Sequence, residues 1–414
     1  MLTVAPAQIR GLPCSGKSSE EGQMAKIRIY IPGFDIPKTE GVKYGDYMVI
    51  YDEAGNALVV DAGQRPASAV LREWIKKQRF KRIWMVGTHP HTDHINGIID
   101  AINDPDINVE KVWLVSYDAI RPFTKSKYKS KSWYSRVCSM YERCAKGLYD
   151  LCRSKGVAVG WLATGTHVRI GDIHCKVLWQ APNSYSYPDA DQLAGTWLNN
   201  FSPLLLFDFG LFVAGDNQLE HDAARSACRP VIVASVPHHG NYVDKTAFKK
   251  LCPKAAFYNY GEARGTIGKD KGFTSWTIPV LQKMGTEIWN NFRDGEIRMM
   301  FTDDYVVICG DRNDRTATYS LGSYCSWSRS DEELAVEVML RLHGNGDARK
   351  NALGTRYSAV QKIVGSFCID RDLLIDAIAD YILRGLAGNG DTRKVLIGDY
   401  YPEAQARVNE KLRG

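Results

Sequence analysis

The stretch "VGTHPHTDHINGI", residues 86–98, places His89, His91, Asp93 and His94 within six positions. Before the histidines, "RIWMVGT" reads as a buried strand; after them, "INGIIDAI" begins a helix. Histidines two apart at a strand end can aim both imidazoles at one spot. The Asp–His pair that follows, on the turn entering the helix, can address a second spot beside the first. Neutral imidazoles and a carboxylate suit zinc, with manganese or iron as substitutes. A lone histidine is usually a packed or surface residue, but four ligand-type side chains in one short loop predict a metal site.

Working outward, short β-like runs recur from about residue 25 to 310, among them "KIRIYI", "DYMVIYD", "ALVVDAG", "KVWLVS", "PLLLFDF" and "VIVASVPHHG". Helical stretches separate several of them, notably 67–78 and 132–154. This order predicts a layered α/β domain with a mixed sheet. The region 311–331 is polar and without periodicity, and reads as a linker.

The pattern H-x-H-x-D-H resembles the signature of the metallo-β-lactamase superfamily, and three other segments fall where that family needs them. "VVDAG" (59–63) offers Asp61 as support for the histidine loop. "FVAGDN" (212–217) offers Asp216 as a carboxylate bridging two metals, and "SVPHHG" (235–240) offers His239 as a late ligand. The resemblance implies an αββα sandwich over 25–310. It also implies two divalent metal ions, zinc first, held by His89, His91, Asp93, His94, Asp216 and His239. Within the superfamily, "LNNFSPLLLFDFGLFVAGD" and "PHHG" look like the competence-protein (ComEC-like) branch.

Other branches place a histidine ligand before the Asp216 hairpin, where this chain has Asn199 or Asn200. Asn200 is expected to support the site. The first metal then keeps His89, His91 and Asp216, with its remaining positions open to water or substrate. His238 is expected beside the site as a supporting group or proton donor. Two metals bridged by Asp216 would bring the pKa of a shared water to around 7, for attack on a carbonyl carbon or a phosphorus. Asp93 would orient that nucleophile.

The last quarter of the chain has a different grammar. "LHGNGDARK" (342–350) returns as "LAGNGDTRK" (386–394), 44 residues later. Upstream, Ala335, Val338, Met339 and Leu342 match Ala379, Ile382, Leu383 and Leu386, a helical stripe in both copies. Downstream, Tyr357 and Gln361 match Tyr401 and Gln405. Gly344 and Gly388 are expected to supply the left-handed backbone that stops each first helix. The units, 332–366 and 375–412, resemble the Cpl-7 cell-wall-binding repeats, small all-α three-helix modules. The resemblance implies binding to peptidoglycan muropeptide, with Asp347, Arg349, Asp391 and Arg393 in a shallow groove beside the two tyrosines and glutamines.

Composition narrows the substrate only loosely. The chain has 414 residues, 44% hydrophobic and 24% charged, with a net charge of +6. That balance allows an acidic substrate without requiring nucleic acid. "RPFTKSKYKSKSWYSR" (121–136) is strongly basic and carries aromatics, and it can form a rim for an anionic substrate. A phosphodiester therefore fits better than an amide or a lactam: a teichoic-acid-type polymer, or nucleic acid as in the ComEC-like branch. A peptidoglycan amidase, a β-lactamase-type enzyme and a non-catalytic wall-binding protein are the alternatives.

Ten cysteines without a C-x-x-C pair favour synthesis in a reducing compartment. No apolar run approaches the roughly 20 residues of a membrane span. Residues 1–24 read as a disordered leader without signal-peptide features, and "GLPCSGKSS" there lacks the strand that a phosphate loop follows. The expected route is synthesis in the cytoplasm and action at the wall after phage lysis or non-classical export.

Overall fold

The computed structural model describes residues 26–33, 46–65, 67–122, 126, 130–181, 196–240, 244–259, 277–302, 305–321, 330–343, 345–353, 356–384, 386–387 and 390–413. The expected leader, Gly344 and Gly388 lie outside them. The chain divides into two compact units, 1–321 and 322–414. Among the described residues no helix is long and apolar enough to cross a membrane.

The first unit begins with strands β1 (Ile27–Ile31), β2 (Tyr47–Asp52), β3 (Asn56–Ala62), β4 (Arg82–Gly87), β5 (Val109–Leu114) and β6 (Ala158–Trp161). Next come β7 (His167–Ile170), β8 (Ile173–Trp179), β9 (Leu204–Phe207), β10 (Leu211–Val213), β11 (Val233–Ser235), β12 (Ala255–Tyr258) and β13 (Glu287–Asn290). The last three are β14 (Ile297–Phe301), β15 (Tyr305–Gly310) and β16 (Arg315–Ser320). Its helices are α1 (Ala67–Gln78), α2 (Thr92–Asn103), α3 (Lys131–Met140), α4 (Lys146–Ser154), α5 (Asp222–Ala227), α6 (Lys245–Leu251) and α7 (Thr277–Lys283).

The strands form two mixed sheets. One runs β16-β15-β14-β1-β2-β3-β4-β5-β6 and the other β13-β12-β11-β10-β9-β8-β7. Each is antiparallel in one half and parallel in the other, the parallel stretches being β3 to β6 and β10 to β13. Alternation along the strands sets the layers. Val49, Ala57 and Val59 pack with Leu71 of α1 and Ile95 and Ile98 of α2. The intervening Met48, Ile50, Leu58 and Val60 are buried on the opposite face, where β2 and β3 meet β7 and β8. Phe212, Ala234 and Ala256 of the second sheet pack with Ala224 of α5, Phe248 of α6 and Leu281 of α7. The result is helix, sheet, sheet, helix, the sandwich that the resemblance implies. Each fully buried Val, Leu or Ile contributes about 1.5–3 kcal/mol, so the patterning alone commits both sheets to face each other.

The expected linker is corrected at its start. Residues 315–320 form β16, an antiparallel edge strand on β15. Its sequence, RTATYS, has no aliphatic stripe because an edge strand packs little and is kept polar. It is fastened by side chains: Arg315 lies 3.9 Å over the Trp289 ring, and the Tyr319 hydroxyl donates to Glu287.

The second unit contains α8 (Asp331–Met339), α9 (Gly346–Leu353), α10 (Tyr357–Ile369), α11 (Arg371–Leu383), α12 (Gly390–Ile397) and α13 (Tyr401–Arg413). The two sets of three helices share one core, from Leu334 and Val360 to Ile378 and Val408. Two expectations shift. Leu342 and Leu383 are 48% and 41% exposed, because α8 and α11 end before or at these positions and the predicted stripe is cut short. At the end of α8, Arg341 takes the left-handed conformation, with φ 65°. Ser330 and Glu333 form a reciprocal cap on α8. Buried Glu337 accepts from the Tyr381 hydroxyl at 3.1 Å and pairs with His343 at 2.8 Å, tying the first helix set to the second.

One glycine governs where the metal loop sits. A Cβ at Gly97 would lie 2.0 Å from the Ala62 carbonyl oxygen, so only glycine lets α2 settle on the end of β3. Gly97→Ala is expected to cost about 1–3 kcal/mol through forced displacement, read as a lower urea midpoint with an unchanged m-value.

Candidate metal centre

The centre forms at the carboxyl ends of the parallel strands, where open α/β sheets present their ligand sites. Asp61 is the penultimate residue of β3, and His89 and His91 follow β4. Asp93 and His94 sit in the first turn of α2. Asp216 follows β10, and His238 and His239 follow β11. These segments are far apart in sequence but meet where the two sheets face each other.

Asp61 organises the first half. It adopts φ 53°, a left-handed backbone that aspartate tolerates better than most residues. Its Oδ1 accepts from the Thr88 amide at 2.8 Å and its Oδ2 from the Thr88 hydroxyl at 2.7 Å. The same Oδ2 is 2.8 Å from His94 Nδ1. A carboxylate at Nδ1 fixes the tautomer and leaves Nε2 pointing into the cluster. Ser202 does comparable work opposite: its hydroxyl is 3.1 Å from His89 Nδ1 and accepts from the Asp216 amide at 3.3 Å. Asp46 lies 3.2 Å from His239 Nδ1, which leaves His239 Nε2 facing inward.

The inward-facing atoms form two groups around Asp216. In the first, His89 Nε2 is 3.0 Å from His91 Nδ1 and 3.5 Å from Asp216 Oδ2. In the second, His94 Nε2 is 3.2 Å from Asp216 Oδ1 and 3.9 Å from Asp93 Oδ2. His239 Nε2 completes that group, 3.1 Å from Asp93 Oδ2 and 3.8 Å from Asp216 Oδ1. A tetrahedral shell with metal–ligand distances near 2.1 Å has ligand–ligand edges of about 3.4 Å, and both groups bracket that value. Asp46 also falls within ligand range of the second group, but its hydrogen-bonding position at Nδ1 makes it an orienting carboxylate.

The electrostatics of the cluster suit a cation. His94 Nε2 and Asp216 Oδ1 are buried without a hydrogen-bond partner among the described residues. Burial opposes charge on Asp216 and Asp93, yet the surrounding imidazoles, His94 and His239 foremost, hold both below the usual carboxylate range. Burial likewise opposes charge on His94 and His239. Asp216, Asp61 and Asp93 nevertheless raise His94 well above the ordinary value, and Asp216 and Asp46 push His239 up to about 10. Burial, reinforced by the neighbouring His89, pulls His91 down to about 3. The buried carboxylates therefore demand positive charge, and a divalent ion held by His89, His91 and Asp216 or by His94, Asp216 and His239 would meet that demand.

Some expected residues sit elsewhere. The Asn200 carbonyl oxygen and Oδ1 accept from Asn217 Nδ2 and the Gln218 amide, at 3.1 and 3.3 Å. It thus braces the loop after Asp216, while Asn199 reaches His238, with Nδ2 3.4 Å from Nε2. His238 Nε2 is 3.9 Å from Asp216 Oδ2. Thr88, Ser202 and Asp46 were not singled out in the sequence. Thr88 and Ser202 adjoin the recognised motifs, as T-H-P-H and N-N-F-S, and that adjacency was their available signal. In the second unit, Arg349 donates to Asn345 at 2.9 Å and Arg393 to Gln405 at 3.3 Å. Tyr357, Gln361 and Tyr401 are half-buried. The side chains of Asp347 and Asp391 lie outside the described part of the structure.

Residues 332–367 match the family model of the CW_7 repeat. This bears out the repeat resemblance for the first helix set. No curated protein matches the chain. Among solved structures the chain is similar to a diphosphatase of the PhnP family, at 12% identity over 69% of this chain and 100% of that one, with a TM-score of 0.38. It is also similar to the metallo-β-lactamase fold protein YhfI from Bacillus subtilis, at 8% identity over 64% of this chain and 95% of that one, with a TM-score of 0.38. A third is the B3 metallo-β-lactamase BLEG-1, at 14% identity over 45% and 71%, with a TM-score of 0.25. Likeness at this level leaves the functional reading to the chain's own geometry.

Asp61→Asn keeps a side chain that tolerates the left-handed backbone but loses the carboxylate behind His94. Metal affinity is expected to fall about 10–100-fold, measured by competition with a chromogenic chelator.

Proposed function

We propose that the first unit is a metal-dependent hydrolase and that the second unit holds it at a bacterial cell wall. The observation that carries the enzymatic half is Asp216, whose two carboxylate oxygens face two different groups of inward-pointing imidazoles. Two divalent ions bound there, zinc by ligand chemistry with manganese or iron as substitutes, supply an acidified water and an electrophile at neutral pH. The ligands are His89, His91, Asp93, His94, Asp216 and His239. Asp61, Thr88, Ser202 and Asp46 hold the imidazoles in register, and Asp93 orients the attacking water.

A phosphodiester is the preferred substrate. Tyr117 and Ile120 on one side of the basic stretch 121–136, and Cys144 and Ala145 beyond it, line one hollow with His89 and Pro90. The exposed Arg121 and Lys131 therefore belong to a segment anchored next to the first metal position, where they favour an anion. At the wall this points to a teichoic-acid-type polymer. A second reading, a nuclease as in the ComEC-like branch, is favoured by the aromatic cluster of Tyr117, Tyr149 and Trp161. Its ring centroids are 5.1 to 5.9 Å apart, and Trp161 is 40% exposed, which suits base stacking.

The wall half rests on the CW_7 match and on the repetition of its core in 386–394. We infer that α11 to α13 are a second copy and that both bind peptidoglycan muropeptide through Arg349, Tyr357, Gln361 and their counterparts Arg393, Tyr401 and Gln405.

The Zn²⁺- or Mn²⁺-loaded protein is expected to hydrolyse bis-p-nitrophenyl phosphate and p-nitrophenyl phosphocholine but not nitrocefin. Activity on nitrocefin alone overturns the phosphodiester reading, and digestion of single-stranded oligonucleotides in preference to both favours the nuclease. His89→Ala/Asp216→Ala is expected to lose both metal and activity. In a separate experiment, the full chain is expected to sediment with purified cell walls, whereas a chain ending at Leu321 stays in solution; equal sedimentation removes the anchor.

A further inference from the structure

We propose that His238 supplies a third imidazole to the ion held by His89, His91 and Asp216. The proposal rests on the two-metal reading above and changes the membership of its first site. By sequence that site is one histidine short, because asparagine stands where a third imidazole would precede the Asp216 hairpin.

The geometry around Asp216 is paired. Its Oδ1 faces His94 Nε2 at 3.2 Å and His239 Nε2 at 3.8 Å. Its Oδ2 faces His89 Nε2 at 3.5 Å and His238 Nε2 at 3.9 Å. Each carboxylate oxygen thus confronts two imidazole Nε2 atoms, and the consecutive histidines 238 and 239 are divided between the two sides. The separation on the His238 side matches the longest edge within the second group, where His94 and Asp93 stand 3.9 Å apart.

The backbone is arranged for this division. His238 and His239 both take left-handed conformations, with φ 54° and 55°, which non-glycine residues rarely adopt. Strain of this kind persists only where the surroundings over-determine it. Here the His238 amide donates to the Gly215 carbonyl at 3.2 Å, coupling the turn directly to the residue before Asp216.

Asn199 is the positioning residue. Its Nδ2 is 3.4 Å from His238 Nε2, a long contact that an ion at the same nitrogen displaces. Its Oδ1 is buried with no hydrogen-bond partner among the described residues. Asn199 thus stands beside the His238 imidazole, where it can orient the ring.

The test is metal uptake by the full-length protein, stripped with chelator and titrated with Zn²⁺ or Co²⁺ by equilibrium dialysis, with the Co²⁺ visible spectrum as a second readout. His238→Gly suits the left-handed backbone and removes the imidazole; His238→Asn, also tolerant of that backbone, guards against a folding artefact. In both, one of the two ions is expected to bind at least ~10-fold more weakly, with a changed Co²⁺ spectrum. His89→Ala/His238→Gly should lose no ion beyond the one His89→Ala loses, while His238→Gly/His239→Gly should weaken both. Wild-type uptake by His238→Gly, or a loss that adds to that of His89→Ala, overturns the proposal and leaves the two-metal centre standing. Absence of uptake by the unaltered protein overturns the centre itself, and the proposal with it.

Discussion

A buried carboxylate shared between imidazoles is the constraint around which the first unit is organised. Asp216 is 1% exposed, and a charge so placed is tolerated only when partners compensate it. Four histidine nitrogens approach its two oxygens, and Asp93 adds a further negative charge. Protons on His94 and His239 can balance these charges, and metal ions can balance them with better geometry.

The scaffold serves this cluster through its parallel halves. Strands running the same way end on the same edge, so the turns after β3, β4, β10 and β11 emerge together. Asp61 then locks two of these segments with three short hydrogen bonds, and Ser202 locks the hairpin segment to His89. The inward-facing imidazoles are consequently held from behind by Asp61 and Ser202. Gly97 belongs to the same arrangement, since any side chain there would lift α2 and carry Asp93 and His94 away from Asp216.

The second unit solves a different problem. Helices of both sets contribute to one core. Glu337, bonded to Tyr381 and His343, joins them across the sequence repeat. At the 44-residue offset of the G-N-G-D motif, the position matching Glu337 is Tyr381 itself, so the two ends of this hydrogen bond occupy corresponding places in the sequence.

Much of this was legible in the chain. The alternating apolar runs specify strands, the H-x-H-x-D-H loop gathers ligand-type side chains, and the G-N-G-D core marks the helical repeat at 332–367, because each signal lies within a few consecutive residues. What was misread depends on neighbours distant in sequence. β16 looked like a linker because its stability comes from Trp289 and Glu287 rather than from its own pattern. Asn200, expected to support the site, braces the loop after Asp216, while Asn199 is turned toward His238. Thr88, Ser202 and Asp46 carry no motif of their own, and only the meeting of four strand ends shows what they hold. The sequence by itself determined which side chains are of metal-ligating type and close in the chain, since that follows from residue type and local spacing. Only the tertiary structure decided which oxygen of Asp216 faces which imidazole, because that depends on how two sheets pack and on backbone conformations that no local pattern encodes.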